Sequence, residues 1–157
     1  QIEAGSLSFS LRPVELGDCC RNAMETIRHR VAEGVSLNFT PEVPSFILNT
    51  DPLRLQQLLV NLLVNAAKFT EAGEINLSFH IGQEQKNVDL IVTDTGCGIP
   101  ADKVTQIFKR FEKVDEYKQG TGLGLSISQA IAGALGGTIR VDAGYTQGAR
   151  FIFTHPC

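Results

Sequence analysis

The chain has 157 residues, 43% of them hydrophobic and 20% charged, with a formal net charge of −3. That size and balance suit one globular domain with a core of its own, and the sign of the charge excludes a general nucleic-acid surface. No apolar run reaches the roughly 20 residues of a membrane-spanning helix, and Gln1-Ile-Glu-Ala-Gly5 has neither the basic nor the apolar region of a signal peptide.

The first expected element is a strand, because Leu7, Phe9 and Leu11 alternate with polar residues until Pro13. Asp18 is placed to cap a helix whose apolar positions are Cys20, Ala23, Met24, Ile27 and Val31, with Gly34 at its end. Val35, Leu37 and Phe39 alternate again up to Pro41, and Phe46-Ile-Leu48 is a further short apolar run. Asp51-Pro52 reads as a cap and first helical position. The helix that follows carries Leu55, Leu58, Leu59, Leu62, Leu63 and Ala66 at helical spacing, and Gly73 closes the region.

Ile75, Leu77, Phe79 and Ile81 alternate, and Val88 to Val92 form a second run after a polar loop, which predicts a hairpin. A short helix is expected around Val104, Ile107 and Phe108. The polar stretch 112–119 then reads as a mobile loop. A helix from about Leu123 to Leu135 is expected to stop at Gly136-Gly137, followed by strands over Thr138 to Val141 and Ala149 to Phe153. The sum is an α+β layer sandwich. The four cysteines, Cys19, Cys20, Cys97 and Cys157, fit neither a zinc ribbon nor a disulfide framework. Reduced thiols in a cytosolic protein are the expectation. Gln1 stands where an initiator Met would, so the chain is expected to be part of a longer one.

Three short pieces carry chemistry. Asn61 and Asn65 are one helical turn apart on one face, with Lys68 on a similar face. An amide oxygen there suits Mg²⁺, a hard cation that takes oxygen ligands and keeps waters and phosphate oxygens; a merely solvated polar face would carry the same residues. Asp94 follows Leu90-Ile-Val92 and precedes Gly96 and Gly98. A carboxylate there can accept from the exocyclic amine of adenine, and the glycines allow a close backbone approach; Asp is also an ordinary turn residue. Gly120-Thr-Gly122-Leu-Gly124-Leu125 precedes an amphipathic helix, whose N-terminal N–H groups favour phosphate. The spacing is neither the dinucleotide fingerprint nor a P-loop. Arg110 and Lys113 are placed to screen phosphate charge. Phe108 reads as core.

With its pieces in this order, the chain resembles the catalytic, ATP-binding domain of two-component sensor histidine kinases, in the gyrase–Hsp90–histidine kinase–MutL superfamily. Asn61 to Thr70 is similar to the N box, Asp94 to Pro100 to the G1 box, Ile107 to Phe111 to the F box and Gly120 to Leu125 to the G2 box. Gly144 to Phe153 is similar to the terminal glycine and strand element.

The resemblance implies a Bergerat-type two-layer α/β sandwich, with a mixed, mostly antiparallel sheet and helices on one face. It implies ATP and Mg²⁺ as cofactors. By position, Asn65 is the metal ligand, Asn61 supports metal and phosphates, and Lys68 contacts phosphate; these three form the catalytic set. Phe69 lies beside the nucleotide, Asp94 reads adenine, and Gly96, Gly98 and Ile99 line the base. Residues 112–119 form the ATP lid. Gly120, Thr121, Gly122, Leu123, Gly124 and Leu125 hold phosphate, with Gly122 and Gly124 as its cradle. Residues 1–5 resemble the tail of an upstream dimerisation helix, leaving 6–157 as the catalytic domain.

Implied partners are ATP or ADP, the dimerisation and phosphoacceptor domain of a homodimeric parent, and the receiver domain of a response regulator. Nucleic acid and direct membrane insertion are not implied. The implied location is the cytoplasm, with the parent soluble or anchored in the inner membrane. His29, His80 and His155 all lack the acidic residue that follows a phosphoacceptor histidine in this family, so the acceptor is expected upstream. The superfamily's hydrolases place a glutamate where this chain has Asn61, which is no base. Two other readings are a nucleotide-binding regulatory module without catalysis and an anti-sigma-type serine kinase.

Overall fold

The computed structural model describes residues 9–70, 72–95, 122–142 and 149–157. Its elements run β1 (Arg12–Glu15), α1 (Leu16–Ile27), β2 (Val35–Pro41), β3 (Ile47–Thr50), α2 (Pro52–Phe69), β4 (Gly73–Ile81), β5 (Asn87–Asp94), α3 (Gly122–Ala134), β6 (Thr138–Val141) and β7 (Ala149–Pro156). Among them β1 and β3 form a small antiparallel ribbon, and the other strands form one sheet in the order β2-β4-β5-β7-β6. Only β2 and β4 are parallel; the other neighbours run antiparallel. The expected mixed, mostly antiparallel sheet with helices on one face is the observed architecture.

Register follows from alternation, because a slip by one residue would turn every apolar side chain to the wrong face. Phe39, Leu77, Val92, Phe151 and Val141 stand in one cross-strand row. Pro41, Phe79, Leu90, Phe153 and Ile139 stand in the next. Leu77, Phe79, Leu90, Val92, Phe151 and Phe153 are all buried, in one core with the apolar stripes of α1 and α2. Helix α2 packs against both α1 and α3 and lies over β4 and β5. The opposite face of the hairpin carries Asn76, Ser78, Asp89 and Thr93.

Several local expectations shift. The first strand begins at Arg12, and Pro13 lies inside it, paired with Asn49. A two-stranded ribbon has free edges, so a residue without an N–H is tolerated there. Helix α1 begins at Leu16, before Asp18; its cap is Glu15, whose carboxylate accepts the Asp18 N–H. The helix stops at Ile27, a 3₁₀ turn follows over Arg28–Arg30, and Gly34 turns the chain at φ 90°. Val31 therefore packs on the core from outside the helix. Helix α3 begins at Gly122 and stops at Ala134, with Gly136 at φ 84° and the Gly137 N–H returning to the Ala132 carbonyl at 2.8 Å. The expected short helix near Phe108 and the loop 112–119 lie outside the described residues.

Candidate functional site

Helix α2 is fixed at its start by Asp51, whose Oδ1 accepts the N–H groups of Leu53 and Arg54 at 3.0 and 3.1 Å, with Pro52 as the first helical residue. Its leucine stripe is buried: Leu55, Leu58, Leu59, Leu62 and Leu63 are fully enclosed. Burying each such side chain is worth about 1.5–3 kcal/mol, so the rotation of α2 about its axis is set by the core. Asn61, Asn65 and Lys68 are consequently held off the stripe, and each is half-buried, not on an open solvated face.

Lys68 also rims a groove of about 440 Å³ whose other walls are His29, Arg30, Val64 and Ala67. The 3₁₀ turn after α1 thus brings His29 and Arg30 to the C-terminal half of α2. The run Arg28-His-Arg30 was visible in the sequence, but its destination was set by how α1 packs on α2.

Asp94 ends β5 and is only 2% exposed. It stands in the row Leu37, Ile75, Asp94, Ala149, on the face covered by helices. Its Oδ1 accepts the Ala149 N–H at 3.2 Å. A carboxylate buried at the end of an apolar strand needs such partners, since an unpaired buried charge is costly.

Helix α3 opens with Gly122, Leu123, Gly124 and Leu125. Its first four N–H groups have no partner within the helix, which with the partial positive charge there suits an anion. α2, packed on both β5 and α3, joins the elements that carry Asn61, Asn65 and Lys68, Asp94, and the glycine turn. The side chain of Phe69 and the positions Gly96, Gly98, Ile99, Arg110, Lys113, Gly120 and Thr121 lie outside the described residues.

The donor set fits a magnesium nucleotide. Among the described residues no group of three His, Cys, Asp or Glu side chains gathers as a metal cage. A Mg²⁺ ion held by one or two protein oxygens together with phosphate oxygens and waters needs none, and the amide of Asn65 carries an oxygen of that chemical kind. The buried carboxylate of Asp94 suits a donor amine on a base.

Two residues near the site lie inside the motif segments but were given no role of their own by the sequence. Thr95 is tied by its hydroxyl to the start of β4. Thr70, the C-cap of α2, is 1% exposed, and its hydroxyl has no hydrogen-bond partner among the described residues.

The histidines divide by environment. His29 is exposed. His80 is exposed and its Nδ1 meets the Glu42 carboxylate, an acidic neighbour in space and not in sequence. His155 is 2% exposed. Cys19 and Cys20 are buried free thiols, and burial pushes Cys19 up to about 11, which makes it inert as a nucleophile. No helix among the described residues is long and apolar enough to cross a membrane.

Residues 50–157 match the family described as histidine kinase-, DNA gyrase B-, and HSP90-like ATPase. The chain is 32% identical to Hybrid signal transduction histidine kinase B of Dictyostelium discoideum, over 100% of this chain and 8% of that protein. It is 33% identical to the circadian input-output histidine kinase CikA of Synechococcus elongatus, over 99% of this chain and 22% of that protein. The chain therefore spans less than a quarter of these curated relatives. Among solved structures, full-length ShkA in complex with AMPPNP superposes with a TM-score of 0.85 at 34% identity, over 98% of this chain and 33% of that one. The mycobacterial sensor histidine kinase MprB gives 0.80 at 26% identity, over 94% and 97%.

Proposed function

This chain belongs to the family of histidine kinase-, DNA gyrase B- and HSP90-like ATPases as a catalytic ATP-binding domain of the sensor histidine kinase type, and we propose that it delivers the γ-phosphoryl group of ATP to a histidine outside these residues. We take residues 6–157 as that domain. The acceptor histidine lies on the dimerisation and phosphoacceptor domain of a homodimeric parent, and a response regulator receives the phosphoryl group from it.

The observation that carries this reading is the buried carboxylate of Asp94 at the end of β5, beneath the helix that holds Asn61, Asn65 and Lys68 half-buried. Asp94 accepts from the exocyclic amine of adenine. Guanine carries a carbonyl at that position and offers no donor. The first N–H groups of α3 bind phosphate oxygens, and the Lys68 ammonium adds a point charge beside them. Bound Mg²⁺, held by Asn65 with Asn61 in support, supplies charge neutralisation to the phosphates. Asn61 has no proton-accepting function at neutral pH, so it does not activate water. That directs the transfer to a nucleophile that needs no base on α2, such as an imidazole. His155 is enclosed, and no histidine of this chain is followed by an acidic residue, so the chain alone does not phosphorylate itself.

Calorimetry of the chain with ATP and GTP, with and without Mg²⁺, tests binding. Adenine-selective, Mg²⁺-assisted binding is expected; no binding to either would overturn the reading. Incubation with γ-labelled ATP is expected to leave no acid-labile phosphate on the chain. Asn65→Ala in the full-length parent is expected to abolish kinase activity, and an unchanged rate would remove Asn65 from the metal site.

A further inference from the structure

The antiparallel ladder between β4 and β5 ends at the pair Ile75 and Asp94. One residue further on, the pairing continues in altered form. The Thr95 N–H donates to the Glu74 carbonyl at 3.2 Å, as a ladder requires. The Glu74 N–H, which a continuing ladder would direct to a backbone carbonyl, is instead accepted by the Thr95 hydroxyl at 3.0 Å. The same hydroxyl donates to the Ala72 carbonyl at 3.4 Å. A side chain thus closes the sheet immediately after the buried carboxylate.

Gly73 makes room for this closure. Its φ is 108°, and a Cβ built there would lie 2.0 Å from Thr95 Oγ1. Residues 70–72 join the end of α2 to β4. The Thr95 hydroxyl therefore sits between two parts of the candidate site. On one side is Asp94, its chain neighbour. On the other is the short connection leading back to Lys68 and Asn65.

We infer that Thr95 is a positioning residue for base recognition: its hydroxyl holds the start of β4 against the end of β5 and so sets Asp94 relative to α2. This rests on the reading of Asp94 as the residue that meets the adenine amine. Without the hydroxyl the Glu74 N–H loses its acceptor. The last ladder pair then frays, and Asp94, anchored from the other side by Ala149, loses a flanking constraint. The contact that suffers is the directional one to the exocyclic amine. Contacts to phosphate, made from α2 and α3, are spared.

The experiment compares the affinity of the chain for MgATP and for magnesium inosine triphosphate, which carries a carbonyl where adenine has its amine. Wild type, Thr95→Val and Thr95→Ser are titrated, and each is melted thermally. Thr95→Val is expected to lose about tenfold in ATP affinity, the size of one charge-assisted hydrogen bond, with inosine triphosphate affinity unchanged. Thr95→Ser, which keeps the hydroxyl, is expected to restore the preference for ATP. Thr95→Ala, which removes the hydroxyl without placing a branched side chain at the end of β5, is expected to copy Thr95→Val and serves if that variant does not fold. An equal loss for both nucleotides, or a preference for ATP kept in both Thr95→Val and Thr95→Ala, would overturn the inference. A wild-type chain that binds nucleotide without preferring ATP would remove the reading of Asp94 itself, and this inference with it.

Discussion

The carboxylate of Asp94 and the backbone amide of Ala149 are joined by a hydrogen bond of 3.2 Å that spans 55 positions of the chain. It ties the end of β5 to the start of β7 and orients a buried acid at the edge of the helix layer. The same bond makes Asp94 separable from the fold, because asparagine keeps an oxygen to receive the Ala149 N–H.

Asp94→Asn is therefore expected to fold as wild type does while losing roughly 10- to 100-fold in ATP affinity, the scale of a hydrogen bond to a charged group. Titration calorimetry on a variant with an unchanged melting temperature checks it. Undiminished ATP binding would place the adenine elsewhere.

Asp51 serves two segments at once. Its Oδ1 caps α2 through Leu53 and Arg54, and its Oδ2 accepts the Ser10 N–H at 2.8 Å. Asp51→Ala removes a helix cap, worth about 0.5–2 kcal/mol, and leaves the Ser10 amide without its acceptor. A total loss of about 2–3 kcal/mol in urea unfolding is expected. Asp51→Asn should recover most of it, since an amide oxygen also caps.

His155 gives the fold an acid-side weakness. Its Nε2 lies 2.9 Å from the Thr50 hydroxyl and its Nδ1 2.6 Å from the Pro156 carbonyl, with the Phe153 ring edge-on beside it. The neutral ring with its proton on Nδ1 donates to the carbonyl and accepts from the hydroxyl, satisfying both. Burial pushes the group below its ordinary value near 6.5, against the smaller opposite pull of the Pro156 carbonyl. The unfolded chain then binds a proton that the folded chain resists, so this contribution is whole above about pH 6.5 and declines as pH falls toward the lower folded value. Melts of wild type and His155→Gln between pH 5 and 8 check it. The wild-type advantage is expected to be flat above about pH 7 and to shrink below about 6.5. The hydrogen-bonded carboxylates Glu15 and Glu42, both held below 4.5, titrate outside that window. Parallel curves for the two proteins would show that His155 does not titrate on unfolding.

Thr70 makes the opposite kind of case. Its hydroxyl is buried at the end of α2 with no partner among the described residues, and an unsatisfied buried polar group costs about 1–3 kcal/mol. Thr70→Val keeps the shape and removes the orphan. It is expected to leave stability unchanged or raise it by about 1 kcal/mol, read from urea unfolding. A clear loss would mean that the hydroxyl is engaged in solution.

Much of this protein was legible in one dimension. Where a periodic apolar pattern met a cap or a turn residue, the element formed close to expectation: α2 behind Asp51-Pro52, the β4–β5 hairpin, and the end of α3 at Ala134, just before the turn at Gly136. These depend on local hydrogen bonds and on which face is apolar, and both are written in neighbouring residues. The weaker expectations failed where local signals compete. Pro13 looked like the end of a strand and lies inside one, because β1 is part of a two-stranded ribbon, where a missing N–H costs nothing. Asp18 looked like a cap and yielded to Glu15, whose carboxylate also accepts from Ser45 and the Phe46 N–H in the loop before β3.

The motif residues Asn61, Asn65, Lys68 and Asp94 could be named from their order and spacing, since each belongs to a short segment with its own periodicity. Their surroundings were not in those segments. That Asp94 is bonded to Ala149, that His29 and Arg30 share a groove with Lys68, and that Thr95 closes the sheet over Gly73 follow from strand register and helix packing. Those relations join residues far apart in the chain, and only burial of the shared core brings them within hydrogen-bonding distance.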